Sequence, residues 1–514
     1  MITRIIVRKN QYRDSVFLMV VNQQVMKFPG IGEIAIMMGT DNNKDLMMKA
    51  GFDSPDMQAA TPNDMTICIR AESAEHIEKA IQEIDKLLVK KRRPDEKTDT
   101  YKTLDAVMRE RPETNFAVIS VPGQFAAREA RKALNYGLNV LLFSDNVTIE
   151  EEIELKNLAN RLDRIVMGPD CGTAIINYVG LAFANVVNPG SIGVVAATGT
   201  GLQEVVGIID RLGEGITQAI GTGGRDLSDR VQGISMKKGI DILEEDPATK
   251  VIVIISKPPG LQTAADILKK ISTCSKKTIV NFIGADPAAV IAAGAIPAKT
   301  LEEASLKAVA TLRDDVYTAK DFQLSDREVT GLIQKEKKRM QPAQKYVRGL
   351  YSGGALCDEA LAIMGEQLGG IFSNIPLQPH LKIENLSHGF RHSCIDLGDD
   401  YFTQGKPHPM IYPDVRNRYI MSEVENAEVA VLLLDIVLGY GAHIDMAGAL
   451  SKSIISAKSL AEARGGYLSV VASVCGTQKD PQNFGEQVIK LKQCGVVVMP
   501  TNAQAARLAA YICQ

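Results

Sequence analysis

The sequence predicts an α/β protein made of several doubly wound parallel-sheet domains plus a small N-terminal α/β module. Three observations carry that prediction. From about residue 101 onward, short apolar runs of strand length alternate with amphipathic helical stretches. Glycine-rich turns stand between a strand and the helix that follows it, where open α/β sheets bind their ligands. The chain has 514 residues, too many for one core, so roughly three or four domains are expected.

Up to about residue 92 the chain shows apolar runs at 15–21 and 33–38 and a helical stretch at 73–88. A charged stretch at 90–100 containing Pro94 reads as a linker. Strands follow at 116–120, 140–143, 165–167, 192–196, 251–256 and 278–282, with helices such as 124–134 and 202–212 between them. A second polar stretch, 314–345, joins two bodies. Beyond it come strands at 347–351, 429–435, 467–473 and 496–499 and a closing helix at 503–512. Both halves open with a strand, a glycine turn and a helix, which allows a coarse duplication.

Composition narrows the function classes. The 58 basic and 61 acidic residues leave a net charge of −3, no field for nucleic acid or an anionic membrane. The eight cysteines form no CxxC pair or zinc spacing, no secretory leader is visible, and the longest apolar run, near 429–438, is too short to span a bilayer. A cytoplasmic protein is the expectation.

The candidate site residues lie on the turns. In Ala197-Thr-Gly-Thr-Gly201, the residues Thr198, Gly199, Thr200 and Gly201 close a strand and open a helix. Backbone N–H groups and the helix dipole can there hold an anion, with two hydroxyls to help. The Lys-Ser/Thr pair of a Walker A loop is missing. Ser352, Gly353 and Gly354 have the same setting in the second half. Gly223 and Gly224 precede Arg225, a residue suited to bidentate binding of phosphate or carboxylate. Lys257 brings a cation to the end of strand 251–256. Each turn has a plain structural alternative, a tight connection with solvated charges. Asp170 and Cys171 end another strand, and Cys171 reads more readily as a buried inert thiol than as a nucleophile. No histidine stands between His76 and His380. The late ones, His380, His388, His392, His408 and His443, include His392 close to Asp396. A metal site is conceivable there, but a polar loop fits the spacing better, and no metal is expected.

Val121-Pro-Gly-Gln-Phe125, Met167-Gly-Pro-Asp-Cys171, Ser191-Ile-Gly-Val-Val195 and Thr198-Gly-Thr200 occur in the order seen in the α subunit of the succinyl-CoA synthetase (NDP-forming acyl-CoA synthetase) superfamily, which this region resembles. From Tyr351-Ser-Gly-Gly354 through Ile395-Asp-Leu-Gly398 to the end, the chain looks like the ligase domain of the β subunit. The whole chain is similar to the FdrA family. The carrying motifs include Ile34-Ala-Ile-Met-Met-Gly39, Phe143-Ser-Asp-Asn-Val147, Ala182-Phe-Ala-Asn185, Gly223-Gly-Arg-Asp-Leu227, Ser256-Lys-Pro-Pro259, Ile395-Asp-Leu-Gly-Asp-Asp400 and Gly405-Lys-Pro-His-Pro-Met410. The resemblance implies a module at 1–92, a CoA-binding-like Rossmann domain at 101–190 and a flavodoxin-like α-type ligase domain at 191–315. A linker at 316–345 and a flavodoxin-like β-type ligase domain at 346–514 complete it.

The departures from the synthetases are specific. Where they carry the phosphoryl group on histidine, this chain reads Ile291-Ala-Ala-Gly-Ala-Ile296, with Ala292 in the histidine's place. Lys257 stands where the glutamate that steadies the phosphohistidine belongs. The glycine turn for CoA phosphates is not found in the first 115 residues, and no ATP-grasp domain is visible. CoA and ATP are therefore not expected to be handled by this chain alone. The FdrA resemblance implies a subunit of an oxamate carbamoyltransferase of anaerobic allantoin and purine breakdown, converting oxalurate and phosphate to carbamoyl phosphate and oxamate. Phosphate would rest on the loops at 198–201 and 352–354, with Lys257 and Arg225 as the catalytic charges and companion subunits completing the enzyme. The alternatives are an acyl-CoA synthetase component that relies on a partner ATP-grasp chain, and a non-catalytic anion-binding sensor or scaffold.

Overall fold

The computed structural model describes residues 1–13, 15–26, 28–89, 101–403 and 407–514. The linker expected at 90–100, and Gly405 and Lys406 of one family motif, lie outside them. Two compact units divide the chain near residue 102.

The first unit is a three-stranded antiparallel sheet with Met65–Ala71 between Ile2–Arg8 and Ile31–Met38. Successive side chains on a strand point to opposite faces, and both faces here are covered. Ile67, Ile69 and Ile36 pack with Leu18, Val25, Ile77 and Ile84 of the helices Ser15–Met26 and Ala74–Val89. Cys68, Ala35 and Met37 pack with Met47, Phe52 and Met57 on the other face. The apolar run expected at 15–21 is thus the start of a helix.

The second unit contains three sheets among the described residues. Phe116–Ile119, Asn139–Leu142 and Val166–Met167 run parallel, joined by the helices Gly123–Asn135 and Ile149–Arg161. The next sheet has seven strands in the spatial order Ile296–Pro297, Lys277–Phe282, Val251–Ser256, Pro189–Ala196, Ile216–Gly221, Thr173–Ile176 and Val179–Ala182. The first five are parallel; Thr173–Ile176 pairs antiparallel with Ile216–Gly221 and forms a hairpin with Val179–Ala182. The third sheet is parallel, in the order Phe372–Ser373, Ser393–Asp396, Tyr346–Tyr351, Val429–Val437, Ser469–Cys475 and Val497–Met499.

The two large sheets share one topology. Leaving aside the hairpin of the one and the two-residue edge strand Phe372–Ser373 of the other, the first strand (Pro189–Ala196 or Tyr346–Tyr351) lies between the second and third, with two more beyond the third, the flavodoxin-like order. A helix follows each first strand (Gly199–Arg211, Gly354–Leu368) and each last strand (Leu301–Arg313, Asn502–Cys513). These four helices meet in a common core that includes Val205, Ile209, Ala304, Leu356, Ala360, Ala506 and Leu508. The helices also exchange caps. Glu204 on the first helix accepts from Asn502 N (3.1 Å), and Glu359 on its counterpart accepts from Leu301 N (2.7 Å). Each domain thus uses a buried carboxylate to satisfy an orphan amide at the last helix of the other.

The stretch expected to be only a linker, 316–345, contains the helix Asp326–Lys337. Ser325 and Glu328 form a capping box at its start. Glu336 is buried and accepts from the Tyr467 hydroxyl (2.8 Å), which fastens this polar segment to the last domain.

Candidate anion site at two helix N-termini

The turns at 197–201 and 351–354 meet. A Cβ at Gly353 would lie 3.0 Å from Cβ, Cγ2 and Oγ1 of Thr200, and one at Gly201 would lie 3.3 Å from Cβ of Ala355. Glycine at 353 therefore lets the two helix starts touch. The first-turn amides of Gly199, Thr200 and Gly201, and those of Gly354, Ala355 and Leu356, have no protein partner among the described residues. Two sets of orphan donors and two positive dipole ends thus lie side by side. Thr198 is the N-cap of its helix, and its side chain makes no capping bond.

The second turn supplies fewer donors than its sequence suggests. Ser352 N (2.9 Å), Ser352 Oγ (3.0 Å) and Gly353 N (2.8 Å) all donate to Asp435, which is buried in the strand Val429–Val437. Arg416 pairs with the same carboxylate at 3.0 Å. Ser352 and Gly353 are thus committed to an internal anion, and the free amides begin at Gly354.

Lys257 follows the strand Val251–Ser256 and reaches over the second helix. A Cβ at Gly354 would lie 2.9 Å from Lys257 Nζ and 2.8 Å from Asp396 Oδ2. Nζ is 3.5 Å from Asp358 Oδ2, and 36% of the lysine side chain remains exposed. Burial outweighs the pull of Lys257 and raises Asp358. Burial likewise carries Asp396 up to about 7, against Lys257 and the Gly398 N–H, with Asp358 and Asp399 adding to the rise. Asp170 is exposed at the protein surface. Desolvation by the surrounding protein, then Asp145 and Asp400, push it up to about 6 despite Lys257 and Arg225.

Arg225 is partly spent on architecture. Its Nε donates to the buried Glu152 (3.0 Å) and its Nη2 to Val147 O (2.8 Å), so only the outer edge of the guanidinium is open. Beside it Lys156, fully buried, bridges Glu152 (2.8 Å) and Asp226 (2.7 Å). Gly223 has φ +89° and a Cβ there would collide with Pro169 O, so this glycine serves a close backbone approach. Gly224 is open.

Cys171 is the buried inert thiol that the sequence favours, and His392 is corrected. Cys171 is buried with its Sγ donating to Thr173 O (3.5 Å), and burial pushes its thiol up to about 12, an inert form. His392 precedes the strand Ser393–Asp396 at its amino end, against the Tyr346 ring, roughly 13 Å along the chain from Asp396. The histidine at this edge is His408, which sequence reading placed in a loose late cluster. A Cβ at Gly398 would lie 2.7 Å from His408 Nε2, 2.8 Å from Ser352 O and 3.1 Å from Asp396 Oδ1. His408 Nδ1 accepts from Met410 N (3.2 Å), so Nε2 carries the hydrogen. Burial and then Arg416 lower it to about 4, which keeps the ring neutral.

The chain is 39% identical over 515 residues to the Escherichia coli (strain K12) protein YahF, described as uncharacterised, a match covering 100% of this chain and 99% of that one. The chain belongs to the FdrA family. Within this FdrA chain, family models match an "AllF, heavy metal-associated domain" at residues 1–103, a CoA binding domain at 187–284 and a CoA-ligase at 350–512. The CoA binding match falls on the seven-stranded sheet. The α subunit of an ADP-forming succinate–CoA ligase from Staphylococcus aureus (strain N315) is 31% identical over 216 residues, 38% of this chain and 69% of that one. The corresponding subunit 2 from Archaeoglobus fulgidus is 24% identical over 189 residues, 36% and 63% of the two chains. Similar solved structures include ATP citrate lyase from Methanothrix soehngenii in complex with citrate and coenzyme A (18% identity, 45% of each chain, TM-score 0.37). Another is PH0766 from Pyrococcus horikoshii OT3 (14% identity, 78% and 83% of the chains, TM-score 0.31). The scaffold of this FdrA chain is acyl-CoA ligase-like.

The N-terminal match is named for a heavy metal, and the described residues do not fit one. Cys68 is the only cysteine of that module. It is buried, and burial pushes its thiol up to about 12. Its Sγ faces Met47 Sδ at 3.5 Å in an apolar core. Among the described residues no group of three or more His, Cys, Asp or Glu is placed to hold a metal ion, and no helix is long and apolar enough to cross a membrane.

Proposed function

We propose that this FdrA chain is the acyl-transferring component of an acyl-CoA synthetase-like assembly, holding a phosphate or acyl phosphate directly at the paired helix N-termini. The observation that supports this most is the contact of Thr200 with Gly353, which aims two sets of unpaired amides at one small volume beside Lys257. Amides fixed in this way stabilise charge on phosphate and on a carbonyl oxygen without reorganising, and each donor can contribute on the order of 3 kcal/mol. Ala292, where synthetases place their carrier histidine, ends an exposed helix, and Lys257 supplies a fixed cation in place of the supporting glutamate. The acyl group would thus pass between phosphate and its acceptor with no phosphohistidine on this chain. A companion chain would supply the nucleotide chemistry, and the acceptor in the ligase-type reaction would be the CoA thiol.

A second reading is oxamate carbamoyl transfer, with phosphate attacking the carbamoyl carbon of oxalurate. It is favoured by the same replacement of histidine by Ala292, because free phosphate is already a nucleophile and needs no carrier. One experiment separates the two. The chain, with and without the products of its neighbouring genes, is given acetyl phosphate with CoA, or oxalurate with phosphate. Acetyl-CoA supports the first reading and carbamoyl phosphate the second. An acid-labile phosphoprotein formed on this chain from labelled nucleotide would count against both.

A further inference from the structure

We propose that Asp396 acts as a proton-carrying hydrogen-bond donor to the anion bound between the two helix N-termini, so that anion binding takes up one proton at Asp396. The inference rests on the anion-site reading above and adds a residue whose part is to bind and select the ligand.

The argument begins with charge. Asp396 is 6% exposed at the carboxyl end of the strand Ser393–Asp396, and its Oδ1 accepts from Gly398 N (2.9 Å). Its Oδ2 lies over the Cα of Gly354, on the first turn where an anion would meet the amides. The groups facing it are Lys257 from the neighbouring domain, Asp358 from the helix Gly354–Leu368, Asp399 from the following turn and the neutral His408 beyond Gly398. One lysine thus faces two buried carboxyl groups. Asp358 Oδ2 sits 3.5 Å from Nζ and has no other donor, so Lys257 is the group that offsets its charge. A second carboxylate beside it, touching a bound dianion, would place three negative groups around one ammonium. Like charges that close cannot all ionise. Protonation of Asp396 resolves the conflict and turns a repulsive acceptor into a donor. The tendency is present before any ligand arrives, since burial already brings this carboxyl up to about 7. Asp170, raised to about 6 and facing the same lysine, titrates lower and farther out.

Sulfate is the probe, because its charge is fixed across the pH range in which proteins are stable. Calorimetric titration of the full chain should show affinity falling about tenfold per pH unit once Asp396 ionises. Repeating it in buffers of different ionisation enthalpy should show one proton taken up per sulfate at alkaline pH, a measurement that needs no variant. Asp396→Asn keeps a donor permanently and should bind sulfate with the wild type's low-pH affinity at every pH. Asp358→Asn and Asp170→Asn should keep the slope above neutrality. A wild-type affinity independent of pH, or no proton uptake, would overturn the role of Asp396 and leave the anion site standing. An Asp396→Asn variant that retains the wild-type slope would do the same. A wild-type chain that binds no sulfate at any pH would remove the site itself, and this inference with it.

Discussion

Replacing Lys257 with methionine removes a charge and keeps most of the side chain's bulk, and the geometry sets the size of the effect. Nζ would lie 2.9 Å from a Cβ at Gly354, so an anion on the first-turn amides of that helix comes within roughly 4 Å of it. At an effective dielectric constant of about 20, unit charges about 4 Å apart interact by about 4 kcal/mol. Asp358 at 3.5 Å cancels part of this, and solvent reaching the 36% of the side chain that is exposed screens more. About 1–2 kcal/mol should remain, which makes Lys257→Met bind sulfate roughly 5- to 30-fold more weakly than the wild type. The assay is calorimetric titration near pH 6 at low and at high salt, with thermal unfolding run alongside to confirm that the variant is folded. The deficit should shrink as salt rises. If a folded Lys257→Met protein binds sulfate as tightly as the wild type at low salt, the lysine is not part of the anion site and the reasoning fails.

Three further outcomes follow from the same geometry. Lys156→Met removes the ammonium shared by two fully buried carboxylates, Glu152 and Asp226, and should lower stability by about 3 kcal/mol, seen as a drop in thermal midpoint; a change within about 1 kcal/mol would mean the triad is not closed as described. Burial raises Glu359 to about 7 from its ordinary 4.5, so the folded chain keeps a proton that the unfolded chain has lost. Stability should therefore fall as pH rises from about 4.5 to about 7 and level off above, with Glu359's share on the order of 3 kcal/mol. Glu359→Gln should flatten that part of the profile, and an unchanged slope would exclude this carboxyl as its source. Cys171→Ala should leave sulfate affinity unchanged, whereas a tenfold loss would return the thiol to the site.

The central strands of the second unit were legible because both of their faces are covered. Val251–Ser256 is an unbroken buried apolar run, and its expected and observed bounds coincide. The hairpin Thr173–Ile176 and Val179–Ala182 leaves no such mark in the sequence. Its strands have four residues each, and its turn, Asn177 and Tyr178, takes positive φ without a glycine. The helix Asp326–Lys337 reads as a linker in the sequence because only Val329 and Glu336 are buried on it, too few to mark a face. In the site, glycine turns announced the helix starts, but not which amides were already engaged. Asp435 settles that from a strand some eighty residues later, and a lone aspartate inside Val429–Val437 was the available signal. Asp358 and His408 come to the edge through tertiary packing. His408 carries no local mark beyond its two flanking prolines.

The reciprocal caps of Glu204 and Glu359 give the paired turns their rigidity. Each carboxyl group lies on the helix whose first turn faces the proposed anion site, and each is tied to the other domain. The helix starts are thereby fixed in a shared core rather than hung on loops, as preorganised donors require.

The most direct test of the paired anion site is a crystal structure of the chain grown with sulfate or phosphate. An anion bonded to amides of both Gly199–Gly201 and Gly354–Ala355, within ion-pair distance of Lys257 Nζ, is the predicted result. An anion held elsewhere, with these amides covered by protein, would contradict it.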